Sequence, residues 1–196
     1  MKIKKLGLLG VVVLALVAVL PLSAAADAAQ HVRWDIISLV GGVFPGPVNA
    51  GGVSSATAAN GGDTITLTGS GTFVAPQGSN GGSGAVTGGG TWLTSTGSVT
   101  YEVKELVSWV FANLQSSTPA VVDNIGDVNS RANGTAVLRI QFSDGQSGVL
   151  TVGCHGPGAP NGIFEGIAVT KGYLTYYIVA APVGGVDANR TLFHIQ

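Results

Sequence analysis

The sequence predicts an all-β protein, a single antiparallel β-sandwich of about ten short strands, with a closed β-barrel as the alternative. Three observations lead to this prediction. Apolar and polar residues alternate with a period of two over most of the chain after residue 30. Turn-forming residues, including 31 glycines, separate the alternating runs. Helical periodicity is scarce. Closure into a barrel would remove exposed strand edges, but a period of two fits both architectures.

The N-terminal segment has the layout of a secretory signal peptide. Three lysines precede an uncharged, mostly apolar run over 6–22, and small residues follow at 23–29. We expect cleavage after Ala26, with a cut after Ala28 and an uncleaved membrane anchor as alternatives. Residues 1–26 are then removed, and residues 27–196 form one β-rich domain that is extracellular or periplasmic. The style of the signal is bacterial.

Charge and cysteine content exclude several classes of partner. The chain has nine basic and ten acidic residues, and without the three lysines of the signal six bases face ten acids, a net charge of −4 (6 − 10). So few bases argue against binding to nucleic acid or an anionic membrane. A single cysteine excludes an internal disulfide framework and a zinc finger. No second long apolar run follows the signal, so we expect no membrane span after cleavage.

Strands are predicted where the alternation is clearest, at 32–36, 63–75, 136–142, 150–154, 163–169, 173–180 and 192–195. The Asp144-Gly145 pair between two alternating runs predicts a β-hairpin. A second turn is predicted at 170–172. Loops are predicted at 41–52, 77–84 and 118–133, because these stretches are rich in Gly, Pro, Asn, Asp or Ser.

The segment 103–114 is ambiguous. Its apolar residues fit a helical stripe, and they also fit one face of a strand. The enrichment in Tyr, Val, Trp and Phe favours the strand.

Two glutamates interrupt the apolar parity of their predicted strands, Glu105 between Val103 and Val107, and Glu165 between Ile163 and Ile167. An inward carboxylate is costly unless it is paired. Two such carboxylates in one cleft could act as general acid and base of a carbohydrate-active hydrolase. The alternatives are a β-bulge that turns the side chain outward, a buried pairing with an arginine such as Arg139, or a helix that covers Glu105.

A loop rich in oxygen-bearing side chains is the candidate metal site. Asp123, Asn124, Asp127 and Asn129 lie within one short stretch, and such a loop can bind Ca²⁺. It lacks the order of an EF-hand, and a loop built on Asx-turns explains the same residues. The chain's three histidines could form a metal site only if the fold brought them together; they are His31, His155 and His194. No cofactor is predicted.

Cys154 is the only thiol, and His155 follows it directly. Adjacent residues in a strand point to opposite faces, so the histidine is poorly placed to activate the thiol. Cys154 shares its parity with Leu150 and Val152, which predicts a buried thiol that packs as a small apolar group.

Three stretches resemble segments of small secreted bacterial β-proteins of unassigned function, namely Gly88-Gly89-Gly90-Thr91-Trp92, the run 148–154 and the turn 160–167. The resemblance covers about residues 85–195. It implies a β fold and export, and no activity or site residue follows from it.

The sequence therefore favours a secreted, non-catalytic β-domain with a binding or extracellular structural role. An extracellular protein, a glycan or a small apolar ligand is the expected partner, and self-association through an open strand edge is possible. The alternatives are the hydrolase that uses Glu105 and Glu165, and a barrel with a cavity for an apolar ligand. A pocket of several hundred Å³ would favour the last.

Overall fold

The computed structural model describes residues 29–42, 44–76, 82–179 and 189–196. The protein is all-β, as predicted, with twelve strands and two short 3₁₀ helices in these ranges. The strands are β1 (Gln30–Leu39), β2 (Val48–Ala50), β3 (Ser54–Ala58), β4 (Thr64–Leu67), β5 (Ser70–Ala75), β6 (Val86–Thr94), β7 (Gly97–Leu114), β8 (Arg131–Phe142), β9 (Ser147–Cys154), β10 (Gly166–Lys171), β11 (Leu174–Val179) and β12 (Thr191–Ile195). The 3₁₀ helices are Val40–Gly42 and Val128–Ser130.

All twelve strands belong to one antiparallel sheet, in the order β12-β1-β5-β6-β4-β3-β11-β10-β9-β8-β7, and β2 pairs with β1. The two ends of this order are also paired within the sheet, because β12 pairs with β8 and β7 pairs with β6. The sheet is therefore folded over on itself, an arrangement consistent with a β-sandwich.

The main core lies between faces of the folded sheet and is dominated by aromatic rings. Trp109 of β7 packs against Phe73 of β5, with ring centroids 5.5 Å apart, and against Phe193 of β12 at 4.6 Å. Trp92 of β6 meets Phe142 of β8 at 5.8 Å. None of these three pairs joins strands that are hydrogen-bonded to each other. The contacts are tilted or edge-on, the geometry that aromatic rings prefer.

Most of the predicted elements are confirmed. The Asp144-Gly145 hairpin joins β8 to β9, with Gly145 in the left-handed region at φ 88°. The turn near Gly172 joins β10 to β11. The ambiguous segment 103–114 is strand, because it forms the second half of β7 and pairs along its length with β8.

Some predicted boundaries are wrong. The run 63–75 is two strands, because Thr68 and Gly69 separate β4 from β5. Strand β10 begins only at Gly166, so the prediction that Glu165 lies inside a strand fails. The predicted loop 41–52 contains the short strand β2, and strand β8 begins at Arg131, inside the predicted loop 118–133. In each case the pairing partner, rather than the local pattern, decides where the strand ends.

The predicted signal peptide and part of the predicted loop 77–84 lie outside the described residues. Within the described ranges, no helix has the length and apolar character that crossing a bilayer requires.

Candidate functional site

The face of β1, β12 and β8 that points away from the aromatic core carries a polar row. Arg33 lies opposite His194, and His194 lies opposite Arg131. Residues that face each other in antiparallel strands have their side chains on the same side of the sheet. Trp34 and Phe193, one position along, point into the core. This arrangement gives the sheet a second, outer face with three basic side chains side by side.

Two loop segments cover this outer face. Val48 of β2 donates its N–H to the carbonyl of Val122 at 2.9 Å and accepts from the N–H of Asn124 at 3.0 Å. These bonds fasten the loop after β7 to the loop after β1. Several apolar side chains of this region are buried and belong to the same continuous core as the aromatic rings; they are Ile37, Leu39, Val48, Val121 and Leu192. The outer face is thus largely closed to solvent.

A pocket opens at the edge of this covered face. Its inner part has a volume of about 40 Å³. Polar and ionisable side chains of the inner part are those of Gln115, Arg131, Cys154, His155, Glu165, Arg190 and Thr191. A wider surface depression of about 520 Å³ adjoins it, and the two share Phe44, His155, Gly156, Pro157 and Arg190 as walls. A narrow, partly polar inner pocket therefore continues a broad, shallow one.

Cys154 lies in the wall of the inner pocket and is 1% exposed. Its Sγ accepts a hydrogen bond from Gln115 Nε2 at 3.3 Å and donates to the carbonyl of Thr191 at 3.2 Å. Burial, and next the nearby Glu165 carboxylate, hold the pKa of the thiol well above its ordinary value. The prediction of a buried thiol is confirmed.

Glu165 lies beside Cys154, and its carboxylate joins two strand ends. Oε1 accepts from the N–H of Thr191 at the start of β12, at 2.7 Å, and Oε2 accepts from the N–H of His155, just after β9, at 2.5 Å. Burial raises the pKa of Glu165 to about 7, against the two hydrogen bonds and the charge of Arg190, which lower it. The carboxyl group therefore titrates near neutrality while it holds the pocket wall together.

Arg131 is one of the residues that line the inner pocket, and it is 2% exposed. It is the first residue of β8, and its Nε donates to the carbonyl of Val128 in the preceding 3₁₀ turn at 3.1 Å. Among the residues that the structure describes, no carboxylate lies within 4.0 Å of this guanidinium to form an ion pair.

Glu105 lies elsewhere, on an exposed part of β7. A register shift between Val103 and Glu105 turns the side chain outward, and Glu105 Oε2 accepts from Arg139 Nε at 2.8 Å. The bulge considered for Glu105 therefore occurs. The pairing with Arg139 also occurs, but the pair is exposed and not buried as predicted. Glu105 is not among the residues that line the pocket containing Glu165, and the structure does not bring the two carboxylates together in one cleft.

The polar side chains of the loop considered as a calcium site form hydrogen bonds within the loop and with two neighbouring side chains. Asp123 Oδ1 accepts from the N–H groups of Ile125 and Gly126, and its Oδ2 lies 3.0 Å from His194 Nε2. Asp127 accepts from Asn129 and caps the 3₁₀ turn. The side chain of Asn124 donates to that of Asn49. The bonds that Asp123 and Asp127 accept from the backbone just after them are the Asx-turns of the alternative interpretation.

The three histidines have different hydrogen-bond partners and different exposure. His31 is exposed on β1, His155 Nδ1 lies 2.8 Å from the carbonyl of Ile163, and His194 is buried against Asp123. Within the described ranges no group of three or more His, Cys, Asp or Glu side chains could hold a metal ion.

Sequence reasoning found Cys154 and Glu165 but missed Gln115, Arg131, Arg190 and Thr191. Nothing local distinguishes these four, because long-range pairing of β8 with β7 and with β12 brings them to the thiol. No protein-family model matches the chain, and no curated protein or solved structure is similar enough to match it. The pocket itself must therefore carry the functional argument.

Proposed function

We propose that this protein is a secreted, non-catalytic β-domain that binds a small ligand in the pocket beside β8 and β12. The observation that carries the proposal is the depression of about 520 Å³ that continues into the inner pocket. Pockets for small molecules usually measure about 300–1,000 Å³ and combine apolar walls with a few polar groups. The signal-like N-terminus supports export to the periplasm or the extracellular space.

The composition of the walls supports binding of a ligand with an apolar body. Phe44, Pro119 and Pro157 line the depression, together with the polar side chains of Ser116 and Thr118. Arg190 and His155 stand where the depression meets the inner pocket. A ligand here would contact apolar surface at the rim and hydrogen-bonding groups at depth.

The state of the thiol supports a binding role over a catalytic one. A nucleophilic cysteine needs a lowered pKa and a base in contact. Burial raises the pKa of Cys154, and its hydrogen-bond partners are the Gln115 amide and the Thr191 carbonyl. Neither partner can take a proton from sulfur.

Native mass spectrometry of protein purified from culture medium tests the binding function. We expect a bound small molecule, or thermal stabilisation by members of a library of small aromatic and aliphatic acids, amines and neutral analogues. Ser116→Trp should fill the exposed depression and abolish binding. The control is Ser98→Trp, at an exposed position of β7 that lines none of the pockets described above. Equal behaviour of both variants would refute the proposed site.

N-terminal sequencing of the exported protein tests the localisation separately. We expect the mature chain to begin at Asp27, or at Ala29 if cleavage follows Ala28. Exported material that begins at Met1 or Lys2 would contradict cleavage.

A further inference from the structure

The feature that the proposed function leaves unexplained is the charge of Arg131. A guanidinium has five N–H donors, and it keeps its positive charge in proteins. In the described chain one of these donors, on Nε, bonds to a carbonyl, and the side chain has no carboxylate partner. An isolated buried charge is costly, and buried arginines are normally paired with an anion. The remaining donors belong to a side chain that lines the inner pocket.

Glu165 does not fulfil this role, although it lines the same pocket. Its two carboxylate oxygens accept from the backbone of His155 and Thr191. No ion pair between Glu165 and Arg131 occurs at 4.0 Å or less, whereas the guanidinium of Arg139 does form such a pair with Glu105. The two arginines thus differ in environment: Arg139 is exposed and paired with a carboxylate, and Arg131 is buried in a pocket wall.

We propose that Arg131 binds the anionic group of the ligand, and that the ligand is a small monocarboxylate with an apolar body. This inference rests on the proposed function. Arginine's planar fork of donors fits the two oxygens of a carboxylate. The inner pocket of about 40 Å³ has room for a group of a few heavy atoms, since roughly 10–15 Å³ suffices for one water.

The apolar body of such a ligand occupies the wider depression. Phe44 and Pro157 form walls of both the inner pocket and the depression, so a ligand can span the two without a break. The lining of the depression includes Arg190 and His155 and no acidic residue among those that the structure describes. Among the described residues, an anion therefore meets no carboxylate in the depression and meets Glu165 only in the inner pocket.

The test compares benzoate with benzamide, its uncharged analogue of similar shape, in a buffer without carboxylate or phosphate. Acetate, inorganic phosphate and sulfate are measured beside them. Calorimetry and thermal unfolding are followed for the full mature chain. We expect benzoate to bind and stabilise the protein more than benzamide does. The Arg131→Met variant should bind benzoate roughly 10–100-fold more weakly, the cost of losing hydrogen bonds to a charged group.

Two further variants keep the result interpretable. Arg131→Lys keeps the charge but loses the planar fork, and we expect intermediate affinity. The control Arg139→Met removes an exposed arginine on another part of the sheet and should leave benzoate binding unchanged. Arg131→Met should fold, because it replaces a buried charge by an apolar side chain of similar length. Arg131→Lys serves as the test if Arg131→Met does not fold.

Each other outcome overturns the inference in a recognisable way. If benzoate and benzamide bind equally well and Ser116→Trp blocks both, the charge of Arg131 has no role in binding. The proposed function would still stand. Stabilisation by phosphate and sulfate alone would replace the carboxylate with a tetrahedral oxyanion. Binding of benzoate that survives in Arg131→Met would place the anion elsewhere. If none of the probes binds, the inference fails, and the search for co-purified ligand decides the proposed function independently.

Discussion

His194 Nε2 lies 3.0 Å from Asp123 Oδ2, and the two side chains are 2% and 1% exposed. The contact joins the last strand of the sheet to the loop that covers its outer face. It also places a carboxylate beside His194 and near Arg33, since the charge of Asp123 contributes to the raised pKa of Arg33, after the larger effect of Asp35. The loop considered for metal binding therefore covers the row of polar side chains on the outer face.

Removal of the Asp123 carboxylate should loosen this cover. Asp123→Ala loses the contact with His194 and the two bonds from Ile125 and Gly126, and leaves His194 buried without its partner. We expect a loss of about 2–4 kcal/mol in the free energy of unfolding, measured by urea denaturation. Asp127→Ala, in the same loop but exposed, should cost less than half as much. Equal losses would show that the buried pair does not fasten the loop.

Glu165 should make the stability depend on pH near neutrality. Its folded-state pKa is about 7, above the ordinary value of 4.5. A carboxyl group with a raised folded-state pKa contributes stability that is fully present below the unfolded value and lost as the pH rises through the folded value. The contribution of this group should thus fall by about 3 kcal/mol between pH 4.5 and pH 8.

The measurement is the free energy of unfolding from pH 4.5 to pH 8 in wild type and in Glu165→Gln. We expect the variant to lose most of this decline, because its amide does not titrate. The variant also loses one side-chain oxygen that accepts a hydrogen bond from a backbone N–H, so its stability at low pH should be below that of wild type. Glu105→Gln, at the exposed pair with Arg139, should keep the wild-type slope. A slope that is unchanged in Glu165→Gln would assign the titration to another group.

Cys154 should react slowly in the folded protein. The thiol is 1% exposed, and burial raises its pKa, so little thiolate is available for alkylation. We expect iodoacetamide to label the native protein hardly at all, and to label one thiol per chain in urea. Cys154→Ala should cost roughly 1 kcal/mol, since it removes a small buried group and the partner of the Gln115 amide. Fast labelling of the folded protein would show that the thiol is exposed. A disulfide-linked dimer on non-reducing gels, converted to monomer by a reducing agent, would show the same.

The parity of alternating residues was enough to predict which side chains are buried in the regular strands. Leu150 and Val152 point inward, and Cys154 follows them. The same reasoning failed for Glu105, because a β-bulge changes parity without any mark in the local sequence. For Glu165 the parity argument does not apply, since the residue precedes its strand. It is half-buried, and its carboxylate joins two strand ends.

The pocket could not be predicted because its parts are distant in the chain. Arg131 begins one strand, Cys154 ends another, and Thr191 begins a third. Which strand ends meet depends on the strand order and on the pairing of β12 with β8, a contact over about sixty residues. A periodic pattern predicts which face of a strand is buried, but it does not predict which other strand pairs with it.

The last prediction concerns the glycine run in β6. A Cβ atom added at Gly90 would lie 2.0 Å from the carbonyl oxygen of Thr68, an oxygen that also accepts the hydroxyl of Tyr101 at 2.8 Å. Because the obstacle is backbone and the strands on both sides are paired to β6, no side chain can move aside. The glycine is thus needed for close approach of the backbones.

Gly90→Ala should therefore destabilise the protein by about 1–3 kcal/mol, with the strands forced apart at this point. Gly84→Ala is the matched control, because a Cβ there meets no atom within 4 Å and the residue has no positive φ. Its effect should stay within about 0.5 kcal/mol of wild type. Thermal unfolding of both variants at one pH measures the difference. If Gly90→Ala unfolds at the same temperature as Gly84→Ala, the sheet can shift to admit a methyl group. Close packing of β6 against Thr68 would then not require a glycine at position 90.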